Sequence, residues 1–444
     1  MITIGLLIAA AAATYAAARR SLSAGFGVLL VVGYAYGIVR ANLLDGYSHL
    51  LFDAALLGLY AARLFAPISV ENRVRTDELR TWLILLVGWP VVLFLVPTQD
   101  VLVELVGLRG SIFMLPCLLL GAMMTRDDIY RLAVWVAALN LAAGAFAAVQ
   151  FVVGIEPFFP RNPVTEIIYR SGDIARATAF RIPSSFTSAH AYGAMMVLTL
   201  PILLGAWTQP ARRKWVPTLF AAAVMVSVLG IFATGARLPF VLMLIVVGAA
   251  LFSGYAGVGH KLRWLFIGAV IAYAVSGEER LQRFMTLSES EIVGERISGS
   301  VNLSFFELIS QYPLGNGLGG GGTSIPYFLQ GRVRNVVIME NDYARLALEQ
   351  GIPGLLLWIA FLLWLFTRWP PGDVAWRLPR RLMRVCAAAS FATGLIGIGV
   401  LTAIPSTAIL LMTAGWAALP ERVPDRDGVP AAMAPGTALP YGAR

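Results

Sequence analysis

Five arginines and one glutamate supply the residue types that could do chemistry in this chain: Arg181, Arg237, Arg296, Arg332, Arg334 and Glu340. Arg181 lies in FRIPSSFTSAHAYGAMM, Arg237 in TGARLPF and Arg296 in GERISGS, while Arg332 and Arg334 flank Val333 in GRVRN. Guanidinium groups form bidentate, charge-assisted bonds to phosphate. The sequence offers no obvious carboxylate cluster to hold Mg²⁺, so a bound diphosphate would be neutralised by arginine alone. That suits a metal-independent transferase, because stabilising charge on a leaving group is usually the largest catalytic contribution. Glu340, in Met339-Glu340-Asn341-Asp342-Tyr343, precedes an apolar helix that Asn341 or Asp342 would cap. The helix dipole there favours an ionised carboxylate, the form a general base needs. The alternative for Glu340 is a cap or an ion pair with Arg334. Arg345 and Glu349, at i and i+4, would support the first turn of that helix. His190 is a second acid–base candidate or a hydrogen-bonded structural residue.

The elements that must position these groups are apolar. The chain has 444 residues, 58% hydrophobic and 13% charged, with mean hydropathy +0.75; soluble domains carry about 25% charged residues. Apolar runs long enough to span a bilayer recur along most of the sequence. Spans are expected at about 2–18, 22–39, 49–66, 81–97, 108–124, 129–153, 187–207, 215–233, 238–256, 263–276, 344–366, 385–402 and 405–419, the last two as a hairpin turning at Thr402–Pro405. The expected fold is therefore an all-α polytopic membrane protein of twelve or thirteen transmembrane helices. Arg19 and Arg20 follow the first apolar run, and no basic residue precedes it, so it reads as a span and not a cleaved signal.

Alternate loops carry most of the basic residues, which accounts for the net charge of +9 without nucleic-acid binding. The positive-inside rule puts those loops in the cytoplasm. The other face then holds both long polar loops, 155–185 and 277–343, together with the arginines named above. Cationic side chains at membrane depth are costly and usually face a cavity or a partner. Arg237 is the sharpest case, in a turn too short to reach bulk water easily, with snorkelling to headgroups as its alternative. Residues 1–419 would form one transmembrane domain and 420–444, rich in Pro, Ala and Gly, a disordered cytoplasmic tail. The run GNGLGGGG, Gly315–Gly322, lacks the GK[ST] ending of a phosphate-binding loop and is expected to be flexible and backbone-exposing. Cys117 and Cys386 fall in apolar spans as packing residues, and three histidines make a His-based metal centre improbable.

The order of these pieces resembles the O-antigen ligase and Wzy-type polysaccharide polymerase superfamily over roughly Ile155 to Leu419. The carrying residues are Arg181 with SSFTSAHAYGA, TGAR ending in Arg237, GERISGS with Arg296, FFELISQYPLGNGLGGG, and MENDYARLALEQGIPGLLLW. The resemblance implies a glycosyltransferase-C-like enzyme using undecaprenyl-diphosphate-linked glycans on the outer face of the bacterial cytoplasmic membrane. No cofactor or metal is implied, and a chain-length regulator protein is a possible partner. Arg181 and Arg237 would hold the donor diphosphate, with Arg296 in support. Asn341, Tyr343, Arg332, Arg334 and His190 are expected to contact substrate. In the ligases the base position is His; here it is Glu340, which favours a polymerase. A ligase passing glycan to another acceptor is the same-class alternative, and a lipid-linked glycan or anion transporter the alternative of another class.

Overall fold

The computed structural model describes residues 2–68, 70–170, 180–275, 284, 294, 305–322, 325–337, 341–368, 374–397 and 399–420. In chain order the helices are α1 (Ile2–Arg20), α2 (Leu22–Asn42), α3 (Leu51–Arg63), α4 (Val70–Phe94), α5 (Val101–Ile112), α6 (Pro116–Ala122), α7 (Arg126–Val153), α8 (Glu166–Arg170), α9 (Ala189–Trp207), α10 (Val216–Thr234), α11 (Arg237–Leu251), α12 (Val258–Val275), α13 (Phe305–Gln311), α14 (Asp342–Thr367), α15 (Arg377–Thr393) and α16 (Ser406–Ala418). No strand occurs among the described residues. Side-chain caps set several starts: Ser21 accepts from Ala24 N, Ser188 from Ala191 N, and Thr125 forms a reciprocal capping box with Asp128.

Among the described residues, seven segments are long and apolar enough to cross a membrane: α1, α2, α5 with α6, α7, α9, α10 and α14. α11 and α16 are shorter apolar helices. This is an all-α, multi-pass membrane protein. The seven are fewer than the expected twelve or thirteen spans, and the differences can be located. α4 begins at Val70, so Arg73, Arg75 and Arg80 ride on the helix instead of a loop before it. α15 spans Arg377–Thr393, and the described backbone from Gly394 to Pro405 is non-helical, so the expected span to 402 and its tight hairpin are replaced by an irregular segment. The segment expected at 108–124 starts at Val101 and turns at residues 113–115.

A polar pin fixes how the central helices meet. The Tyr34 hydroxyl donates to Asn140 Oδ1, and Asn140 Nδ2 donates to Thr199 Oγ1 (2.9 Å) and Ser227 Oγ (2.8 Å). These four buried side chains come from α2, α7, α9 and α10, and every member has a partner, as an apolar surrounding requires.

The connections sort to two ends of the bundle. One end is stitched by hydrogen bonds between its connections: Ile38 N to Ser185 O, Gln99 to Asn316, Asn316 N to Leu348 O, and Asp342 N to Gly394 O. The other end gathers arginines on the last carbonyls of helices, among them Arg75 on Ala122 and Pro420 and Arg380 on Leu419.

Candidate functional site

The first end holds every candidate residue that the structure describes. Glu340 and Arg296 lie outside the described residues, as do the tail from 421 to 444 and parts of both long loops.

Arg181 is 4% exposed. Its Nη1 stands 2.9 Å from His190 Nε2, and its Nε is buried with no hydrogen-bond partner. A guanidinium only donates, so Nε2 of His190 must accept and a neutral ring carries its proton on Nδ1. His190 itself is exposed, in the first turn of α9. The buried arginine thus lies directly beneath an accessible imidazole. The backbone after Arg181 is firmly held. Ser184 adopts φ of 51°, its hydroxyl donates to Ala143 O at 2.8 Å, and its carbonyl accepts from Gln150 Nε2 at 2.9 Å. Phe186 stacks on Tyr192 with ring centroids 5.6 Å apart and lies against Gly37, where a Cβ would fall 2.1 Å from the Phe186 carbonyl carbon.

Arg237 opens α11 after Ala236 and Gly235, whose φ of 57° makes the reversal from α10. Gly193, one turn into α9 from His190, faces this reversal closely: a Cβ there would sit 3.0 Å from Thr234 Oγ1 and 3.2 Å from Pro239 Cγ. The turn bearing half-buried Arg237 therefore packs on the same stretch of α9 that carries His190. Leu238 continues the wall, since a Cβ on Gly397 would lie 3.6 Å from its Cδ2.

The irregular segment after α15 joins this wall to α14. Asp342 N donates to Gly394 O (2.9 Å) and Gly397 O (3.2 Å), and Val400 N donates to Asp342 Oδ2 (2.7 Å). Asn341 Oδ1 accepts from Tyr343 N (2.8 Å) and Ala344 N (3.1 Å), so of the two caps expected from sequence Asn341 is the one used. The Tyr343 hydroxyl donates to Phe391 O at 2.9 Å. Both Asn341 and Tyr343, expected to contact substrate, thus have structural partners, and Asn341 is buried.

Arg345 does more than support a first turn. It is 2% exposed, with Nη1 3.0 Å from Glu349 Oε2 and Nε 3.4 Å from Asp342 Oδ1. Spacing along the helix marks the Arg345–Glu349 pair, but neither the part of Asp342 nor the depth of the group.

Arg332 and Arg334 belong to another neighbourhood. Exposed Arg332 faces Asp100 at 3.7 Å, and Arg334 N donates to Gln99 Oε1 at 2.8 Å, both on the connection between α4 and α5. The glycine run beside them is not exposed backbone but is packed among neighbouring segments. Leu318, Gly319, Gly320 and Gly321 are buried, and Gly317, with φ of 87°, would place a Cβ 1.7 Å from Thr98 Oγ1. Asn316 N donates to Leu348 O at 2.6 Å and Ile352 N to Pro313 O at 3.0 Å, across a break in α14 at Gly351, φ 70°. The glycines are needed because backbone meets backbone there.

Two further groups escaped the sequence reading. The Tyr192 hydroxyl, two residues after His190, is buried without a partner. His49, in the turn before α3, lies under Phe328 (ring centroids 5.5 Å apart), and burial, with Arg40 and Arg109 nearby, holds its imidazole down at about 4. Only proximity in space marks them. Among the described residues no group of three or more His, Cys, Asp or Glu side chains converges as a metal set. No protein-family model matches the chain, and no curated protein matches it.

Proposed function

We propose that the protein is an inverting glycosyltransferase that polymerises undecaprenyl-diphosphate-linked oligosaccharide repeat units at the outer face of a bacterial cytoplasmic membrane. The observation that carries this reading is Arg181: a buried guanidinium with an unpaired Nε, touching an exposed histidine and no carboxylate among the described residues. A buried cation without a counter-charge is costly, and a bound anion removes the cost. A diphosphate is the natural candidate, because arginine matches its oxygens in geometry and charge.

In the proposed step, a hydroxyl of the incoming lipid-linked repeat attacks the anomeric carbon of the growing chain. The new C–O bond forms as the bond to the diphosphate oxygen breaks, and the leaving group takes the electron pair. Glu340 accepts the hydroxyl proton. Arg181 and Arg237 stabilise the charge on the departing diphosphate, with Arg296 in support, and His190 orients a phosphate oxygen or a sugar hydroxyl. Attack opposite the leaving group inverts the anomeric centre.

The test uses purified protein in liposomes with a synthetic undecaprenyl-diphosphate oligosaccharide, and products resolved by length with and without EDTA. A ladder that survives EDTA and is lost in Glu340→Ala and Arg237→Ala is the expected result. Product only when a separate acceptor is added would make the enzyme a ligase. Movement of intact substrate across the bilayer, with no lengthening, would replace the enzyme with a transporter.

A further inference from the structure

At the end of the bundle away from the candidate site, several arginines are matched by protein groups. Arg75 donates to the carbonyls of Ala122 and Pro420, both at 2.7 Å. Arg212 pairs with Asp127 and Arg368 with Glu78. Arg380 donates to Leu419 O at 2.6 Å, and Arg384 to the carbonyl of Phe366. Arg80 differs from these five. Its Nε is buried without a hydrogen-bond partner, and none of the ion pairs among the described residues includes it.

Arg80 borders a cavity of about 310 Å³ whose other walls are Leu64, Ile68, Leu83, Ile84, Leu119 and Met123. These come from the residues just after α3, from α4, and from α6 and the residue that follows it. Ile84 is 71% exposed, so the cavity opens sideways, where the bilayer would lie, and not only towards water. An apolar cleft with one unmatched cation at its edge has the shape of an amphiphile: hydrocarbon for the walls, an anion for the guanidinium. A soluble anion would find a single polar contact and six apolar side chains. A partner helix, about 10–12 Å across with its side chains, is too wide for the space. Basic pockets between transmembrane helices are established binding places for anionic headgroups, and an arginine at interfacial depth can reach a phosphate along its apolar stem.

We infer that this cleft binds an anionic phospholipid, with one acyl chain among Leu64, Leu83 and Leu119 and the phosphate on Arg80. The inference does not depend on the glycan chemistry proposed for the other end.

Native mass spectrometry of the full chain in detergent, with equimolar phosphatidylglycerol and phosphatidylcholine of identical chains, tests it. The wild type retains phosphatidylglycerol about tenfold better, as expected for one charge-assisted contact. Arg80→Gln loses that preference, Arg80→Lys keeps most of it, and Leu119→Trp, which fills the cleft, lowers retention of both lipids. Melting curves without added lipid establish that each variant is folded; should Arg80→Gln fail, the lysine and tryptophan variants decide. Equal retention of both lipids by the wild type, or the same preference in Arg80→Gln, overturns the inference. So does release of the bound lipid by glycerol phosphate at millimolar concentration, which would mark a site for soluble anions.

Discussion

Arg345 and Arg181 are both withdrawn from solvent, at 2% and 4% exposure, yet their surroundings are opposites. Arg345 is held between Asp342 and Glu349. Arg181 meets an imidazole and leaves its Nε unpaired. A buried cation with its counter-charges built in holds the fold together; one with none among the described residues leaves a place that an anion could fill. The pair also shows why counting buried arginines says little about function unless their partners are counted too.

The contrast can be broken most forcefully at Arg345. Arg345→Met strands two carboxylates at the start of α14 and should cost about 3–5 kcal/mol, the usual penalty for removing one partner of a buried pair. Thermal or denaturant unfolding in detergent reads it, and adding Asp342→Asn and Glu349→Gln should restore much of the loss. Arg181→Ala should do the reverse: melting within about 1 kcal/mol of wild type, with glycan-transfer rate down roughly 10²–10³-fold if it stabilises the leaving group. A large loss of stability in Arg181→Ala with full activity would erase the distinction.

A smaller effect tests the glycine run that anchors the neighbouring loop. Gly317→Ala combines a positive φ with a clash against Thr98 and should cost about 1–3 kcal/mol in the same unfolding assay, whereas Gly331→Ala, with open space around it, should be neutral within about 0.5 kcal/mol. The smallest effect concerns His49. Its imidazole titrates at about 4 when folded against an ordinary 6.5, so the unfolded chain binds the extra proton between those values. Stability should therefore fall as pH drops from about 6.5 towards about 4 and level off below. His49→Gln should flatten that part of the profile; an unchanged slope would assign it to other groups.

The sequence made the coarse architecture and some local details readable, and for identifiable reasons. Long apolar runs report partition into lipid, so α2, α7, α9, α10 and α14 stand close to where hydropathy puts them. Asn341 as a cap and Arg345 with Glu349 follow from spacing along one helix. Hydropathy does not report where a backbone leaves the helix, so the irregular stretch after Thr393 and the break at Gly351 were invisible. Composition made the glycine run look loose because the groups that confine it, Thr98, Val103 and Leu348, are distant in sequence. The contact of Arg181 with His190 was hidden for another reason: nine residues separate them, and only the turn at Ser184 brings them together.

The break in α14 has a consequence for inheritance. Backbone that leaves a helix at membrane depth is tolerated only where other parts of the protein satisfy it, and here the carbonyl of Leu348 and the N–H of Ile352 are satisfied by Asn316 and Pro313. The loop and the helix are therefore one unit of exchange. A chimera that swaps the outer loop alone, leaving α14 and the connection from Thr98 to Val103 behind, should fail to assemble. Recombination between relatives should be tolerated at the borders of this block and not within it.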